Sequence, residues 1–323
     1  MSRLRTWPLL PLVGSLLAAT GCNATGDGAP PSLQKLAAPE IVFLVRNEVF
    51  SIRLDGTERR SLGKVGDNLH RTGFPRLLPD GRMAVLADDD GAIFPWVSEG
   101  NGAWMRLPQM NVSFNDALCG VRINGVPHVV FTASPTSTIL PMWTRVHRID
   151  PDEVRLETVL VESGGQIADP APYGDNEIIA VRNTRTSSSD VGVSTVEVLP
   201  VDVLEGRRDG LDARRVLASV EGGTHLAAAP ARLDDGRVVF LVRRPGGIAP
   251  KDVGELFVIE RDGTVRSTGV VGVQALVAVG NRVVYEAGGA TDVPDLVASD
   301  LVNPPVNVTN TPFVGEHLGW SSF

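Results

Sequence analysis

From residue 40 onward the hydrophobic positions fall in short extended runs, not at helical spacing. Phe50, Ile52 and Leu54 alternate with Ser51, Arg53 and Asp55, the period-2 signature of a strand with one face toward solvent. Val238 to Val242 is apolar at every position, which demands cover on both faces. No segment sustains a helical period, and 34 Gly and 23 Pro are spread along the chain, so helical solenoids are excluded.

Turn-forming dipeptides join these runs, and the joined units repeat. PRLLPDGRMAVLA (75–87) aligns without gaps with PARLDDGRVVFLV (230–242). Both place Asp-Gly between two extended stretches, a strong hairpin signal because the tight turn needs residues that tolerate positive φ. APYGDNEIIAVRN (171–183) turns at Asp175-Asn176, VAVGNRVVYEA (277–287) at Gly280-Asn281, and CGVRINGVPHVVFTA (119–133) at Asn124-Gly125. The second half of the unit also recurs: VFSIRLDGTERRSLG (49–63) matches LFVIERDGTVRSTGV (256–270), and VHRIDPDEVRLETVL (146–160) has the same strand, polar turn, strand form.

Units of about 40–50 residues with four short strands, the second covered on both faces, predict propeller blades. The chain divides into 41–62, 69–108, 112–161, 166–219, 225–270 and 273–310. The first unit opens on IVFLV (41–45) and lacks an innermost strand, whereas TPFVGEHLGWSSF (311–323) supplies one with nothing after it. The expected fold is therefore all-β, a six-bladed β-propeller closed by the C-terminal strand. A tandem of β-sandwiches is the structural alternative.

The first residues change the picture. MSRLRTWPLLPLVGSLLAATGC carries two arginines, an apolar stretch broken by Pro8 and Pro11, then Thr20 and Gly21 ahead of Cys22, which is the layout of an export signal. The stretch is too short for a spanning helix, which needs roughly 20 apolar residues. Ala19-Thr20-Gly21-Cys22 resembles the bacterial lipobox, with Ala19 where Leu is usual. The resemblance implies a signal over residues 1–21, removal of that leader, and acyl chains (palmitate among them) on Cys22, the lipidation site. Several acyl chains hold a protein to a membrane surface without spanning it. Asn23, where Asp would favour inner-membrane retention, points to the outer membrane. Residues 22–40 read as a small, polar, proline-bearing tether, and 41–323 as the propeller.

Charge and cysteines narrow the partners. The formal net charge of −8 becomes −10 once Arg3 and Arg5 leave with the signal, and no basic run exists, so nucleic acid is excluded as a partner. With Cys22 lipidated, Cys119 stands alone, no disulfide framework is possible, and stability must come from the core. Cys119, beside an apolar run, reads as buried and inert.

NVTNTPFVGEHLGWSSF (307–323) is similar to the blade junction of TolB-like (WD40-like) β-propellers, a Leu-Thr-Asn-Thr-Pro start followed by Trp-Ser-Pro-Asp-Gly, and LLPDGRMAVLADDDG (77–91) resembles the same family's Ser-Pro-Asp-Gly-Lys, strand, Ser-Asp-Arg-Asp-Gly order. The resemblance implies an exported, largely non-enzymatic six-bladed propeller that binds other proteins. The match departs at 134–144 and 184–195, which hold irregular insertions. Residues 23–40 are also too few for the α/β domain that precedes the propeller in the family's namesake.

Candidate chemistry is sparse. Gly-x-Ser-x-Gly is absent, and no further domain is available to host a nucleophile elbow. His70 and His225 each stand ten residues ahead of the Asp of an Asp-Gly turn, Asp80 and Asp235. No metal-ligand spacing supports them, and Asp88-Asp89-Asp90-Gly91 lacks the remaining positions of a calcium loop, so no metal and no cofactor are expected. In a propeller the loops before innermost strands gather at the axis. His70, Arg71, Asn115, Asp116, Asp169, His225, Glu316 and His317 are thus the candidate channel-mouth binding residues. The expected function is a lipid-anchored envelope module that binds or scaffolds a protein partner, without catalysis. The alternatives are a propeller enzyme acting on carbohydrate, lyase or hydrolase, with loop-borne residues at that mouth, and a subunit of an outer-membrane assembly machine.

Overall fold

The computed structural model describes residues 40–45, 48–65, 72–89, 92–99, 103–108, 115–133, 143–163, 165–185, 191–204, 214–220, 225–243, 254–287, 295–308 and 317–322. All regular structure among them is extended. The strands are β1 (Glu40–Val45), β2 (Glu48–Arg53), β3 (Arg60–Lys64), β4 (Thr72–Leu77), β5 (Met83–Asp89), β6 (Ala92–Glu99), β7 (Ala103–Arg106), β8 (Asn115–Ile123), β9 (Val126–Ala133), β10 (Trp143–Asp150), β11 (Arg155–Ser163) and β12 (Gly165–Gly174). They continue with β13 (Glu177–Arg185), β14 (Val191–Pro200), β15 (Arg215–Val220), β16 (Leu226–Arg232), β17 (Val238–Arg243), β18 (Gly254–Ile259), β19 (Val265–Val279), β20 (Arg282–Ala287), β21 (Asp295–Ser299), β22 (Val306–Asn307) and β23 (His317–Ser322).

Every sheet is antiparallel, and all but the one that takes in β23 are meanders of consecutive strands. The orders are β23-β1-β2-β3, β4-β5-β6-β7, β8-β9-β10-β11, β12-β13-β14-β15, and a seven-stranded β16 to β22. The five hairpin turns read from dipeptides fall between the first two strands of their units. Asn124 (φ 50) and Gly125 (φ 84) both lie in the left-handed region, as a two-residue turn between right-twisted strands requires.

In the seven-stranded sheet β19 runs on through Gly269 and Gly272, both at positive φ. It pairs with β18 up to Val273 and with β20 from Val273 to Val279. Although two strands, β17 and β18, separate β16 from β19 in the sheet order, the two lie against each other, so the sheet folds over at β19. One strand thereby serves as the outer edge of one four-stranded unit and the inner edge of the next.

The first strands of these units neighbour one another in a cycle: β4 lies against β8, β8 against β12, β12 against β16, β16 against β19, β19 against β23, and β23 against β4. Apolar side chains follow the same cycle. Leu86 and Val97 pack with Leu118 and Phe131, Val121 and Val146 with Ile167 and Ile178, and Ile179 and Val196 with Val238 and Phe240. Val239 and Leu256 meet Leu276 and Val283, Val284 and Leu296 meet Ile41 and Phe43, and Val42 and Val49 meet Met83 and Val85. Each sheet is thus apolar on both faces, which is why Val238 to Leu241 is wholly buried.

The same arrangement corrects the reading of β2 as open to solvent on one face. Val49 and Ser51 are buried on the side expected to be wet, and Ile52 on the other, because a neighbouring sheet covers each. The Ser51 hydroxyl accepts a hydrogen bond from Arg60 Nε at 3.0 Å, so the buried polar group costs little.

One buried titratable group gives the fold a pH dependence. His147 on β10 is 1 % exposed, its ring centroid 5.3 Å from that of Phe131 and its Nδ1 3.3 Å from Thr158 Oγ1. Burial, reinforced by the positive Arg145 and opposed by a backbone hydrogen bond at Glu157, lowers the imidazole from its usual 6.5 to about 4. The native state therefore holds the neutral ring. Its contribution is complete above the unfolded value and is lost as pH falls through 6.5 toward about 4, where the unfolded chain binds the extra proton. Denaturant midpoints should fall across that window in the wild type and flatten there in His147→Gln. Parallel profiles for the two proteins would refute this role.

Candidate functional site at the starts of the inner strands

The connections decide where the innermost strands begin. In a four-stranded meander the last strand runs antiparallel to the first, so a short link returns the chain to the end where the first strand started. Only residue 164 separates β11 from β12, and none separates the two halves of β19. The starts of β8, β12, β16 and the inner half of β19 therefore share one end of the molecule. Asn115 opens β8 opposite Ala133, His317 opens β23 opposite Val45, and His225 immediately precedes Leu226 at the start of β16, where it is partly exposed. Asp116 follows within β8. His70, Arg71, Glu316 and the lipidation candidate Cys22 lie outside the described residues.

A bulge follows each of these starts. Two residues oppose one at Phe74-Pro75 in β4, Asp116-Ala117 in β8, Asp169-Pro170 in β12, Ala229-Pro230 in β16 and Gln274-Ala275 in β19. Bulges turn a strand and free a backbone amide from its ladder, and here the amide at Ala229 serves a seam. Asp169 and Ala229, equivalent by position, both have positive φ, 51° and 45°, and Asp169 Oδ2 accepts the Ala229 N–H at 2.8 Å. Asp169 thus lies inside β12, four residues beyond its start, with that carboxylate oxygen engaged by the next unit. Ala227 is anchored similarly: its N–H donates to Ser194 Oγ at 2.9 Å, and Ser194 Oγ donates to Asn183 Oδ1 at 2.6 Å. His225 is thereby held two residues from a buried hydrogen-bonded anchor.

Sequence reading missed charged residues placed by other units. Arg76 on β4 keeps part of its surface toward solvent, yet its guanidinium lies deep enough that burial lowers its pKa, against the opposing pull of Cys119 and Asp169. Its signal was visible as a departure within the repeat, since Pro75-Arg76 stands where other copies carry Pro170-Ala171 and Pro230-Ala231. Cys119 is fully buried and unpaired by disulfide, and burial, partly offset by Arg76, raises its thiol to about 12, so it is not a nucleophile near neutrality. Glu162 on β11 is buried and accepts from Arg182 at 2.8 Å and Arg214 at 2.9 Å across the seam. No regular spacing could have exposed that triad.

No family model and no curated protein sequence matches the chain. Among solved structures, TolB from Acinetobacter baumannii matches with a TM-score of 0.60 at 13 % identity, over 88 % of this chain and 66 % of that one. Hydrazine synthase of Kuenenia stuttgartiensis gives 0.60 at 12 %, over 85 % and 47 %. A puromycin-hydrolyzing peptidase of Mycobacterium tuberculosis gives 0.52 at 16 %, over 83 % and 42 %. This chain spans less than two thirds of each of these proteins. At such identities the likeness is one of fold, and the fold is that of β-propeller proteins.

Proposed function

We propose that the protein is a six-bladed β-propeller, closed by its C-terminal strand, that is lipid-anchored at the cell envelope through Cys22 and acts there as a non-catalytic protein-binding or scaffolding module. The cyclic order of inner strands and the six apolar seams support the blade count. The lipobox resemblance supports the anchor, at the outer membrane in preference to the inner. The single observation that supports the binding reading is the common end on which β8, β12 and β16 begin; on this reading Asn115, His225 and His317 meet a partner there, while Ser194 and Asp169 are spent on joining blades.

The intact protein, purified from its own membrane with and without Asn115→Ala, His225→Ala or His317→Ala, tests this. A stoichiometric envelope protein should accompany the wild type. Substitutions at these strand starts should shift stability by no more than about 0.5 kcal/mol. One of the three should weaken capture about tenfold or more, since few residues dominate an interface. Recovery of a bound or processed carbohydrate in place of a protein partner would overturn the scaffold in favour of the enzyme. Cys22→Ser should move the protein out of the membrane fraction or leave the leader attached, and an unacylated wild-type N-terminus downstream of Cys22 would reject the anchor.

A further inference from the structure

Two seams are latched at the turn end by the same device. In one, the Asn124 N–H donates to Asn176 Oδ1 at 2.7 Å and the Asn176 N–H donates to the Arg122 carbonyl at 2.8 Å. In the other, the Asp235 N–H donates to Asn281 Oδ1 at 2.7 Å and the Asp234 N–H to the Gly280 carbonyl at 3.0 Å. Three asparagines thus sit at inner turns, but they are chemically unequal. The carboxamides of Asn176 and Asn281 are held as acceptors, and each is followed by a strand residue, Glu177 paired with Gly174 and Arg282 paired with Val279. Asn124 contributes only its backbone. Among the described residues nothing hydrogen-bonds its exposed side chain, and Gly125 follows it.

Gly125 has no ladder position, because the Ile123–Val126 pair closes the hairpin around it. The space where a side chain would stand is open to 4 Å. A solvent-exposed carboxamide therefore neighbours the peptide nitrogen of an exposed residue that carries no side chain.

We propose that Asn124 is a site of spontaneous deamidation that unlatches the seam between the β8–β11 and β12–β15 blades. The Gly125 nitrogen, having given its proton to solvent base, attacks Asn124 Cγ. A C–N bond forms, the bond to the side-chain nitrogen breaks, and ammonia leaves with a proton from water. Water then opens the five-membered imide at either carbonyl. Opening at Cγ gives aspartate, and opening at the backbone carbonyl gives isoaspartate; no electrons are exchanged. Aspartate keeps the main chain and its N–H bond to Asn176. Isoaspartate inserts Cβ into the main chain of a two-residue turn, so the Ile123–Val126 register and the Asn124–Asn176 hydrogen bond cannot both persist.

The test incubates the folded full-length protein in mildly alkaline heavy-oxygen water and maps peptides, with Ile123–Arg145 released by trypsin. The expected result is heavy oxygen and a mixed aspartyl and isoaspartyl product at Asn124, with Asn176 and Asn281 unmodified over the same period. Asn124→Gln should lose the signal. Asn124→Asp should melt like the wild type, while the isoaspartyl fraction melts several degrees lower. Modification at Asn124 only after denaturation, or equal modification at all three residues, would overturn the proposal. An isoaspartyl fraction with unchanged melting and unchanged exchange protection at Asn124 and Asn176 would overturn the unlatching.

Discussion

Gly120→Ala is expected to destabilise the protein by about 3 kcal/mol, the upper end of what overpacking a dense core costs. Gly120 lies in β8 opposite Val129, between buried Cys119 and Val121, where this strand passes the end of β4. An added Cβ would stand 2.4 Å from the Leu77 carbonyl oxygen and 2.8 Å from Leu78 Cα. Both are backbone atoms, so no rotamer change relieves the clash. The blades would have to separate along a seam that also carries Leu78, Leu118 and Phe131. Urea titration should show a large drop in midpoint. By contrast, Gly81→Ala meets nothing within 4 Å and suffers only its positive φ of 90°, a penalty of about 1–2 kcal/mol. A Gly120→Ala protein as stable as the wild type would mean that β8 and β4 do not approach as described.

What could be read in the sequence was local. Asp80-Gly81, Asn124-Gly125, Asp175-Asn176, Asp235-Gly236 and Gly280-Asn281 mark turns because a turn's dihedrals are set by the residues that occupy it. Val238 to Val242 declared its double cover because no other environment suits five successive apolar side chains. Ser51 escaped, since its cover and its Arg60 partner come from packing that period-2 counting cannot see. The break assumed between residues 270 and 273 is a single strand: Gly269 and Gly272 were legible as flexible points, but not as bends inside a continuous ladder. Asp169 reads as part of a loop before an innermost strand, yet it lies within β12, where its carboxylate accepts the Ala229 N–H. Glu162 gains its meaning only from Arg182 and Arg214 across a seam, and pairing at that sequence distance leaves no trace in one chain.

Removal of residues 317–323 should have the largest effect of all, because β23 is the inner strand of the sheet that begins the chain. It pairs with β1 through Ser322 opposite Ile41, Ser321 opposite Val42, Trp320 opposite Phe43 and His317 opposite Val45. Without it, β1 presents an open, hydrophobic edge, a template for pairing with other chains. Two seams are exposed together, since β23 lies against both β4 and β19. Ile41 and Phe43 belong to the core shared with Val284 and Leu296, and Val42 to the core shared with Met83 and Val85. Wetting three buried side chains costs roughly 1.5–3 kcal/mol each, and each lost ladder bond about 1 kcal/mol. The total rivals the 5–15 kcal/mol that holds a typical domain together. The truncated chain should therefore fail to give a cooperative melt, bind a hydrophobic dye and aggregate. A synthetic peptide of residues 316–323 added during refolding should restore soluble, cooperatively melting protein, because the missing strand is held by ladder bonds and packing alone. A truncated chain that melts like the intact one would show that β1 closes its edge by other means.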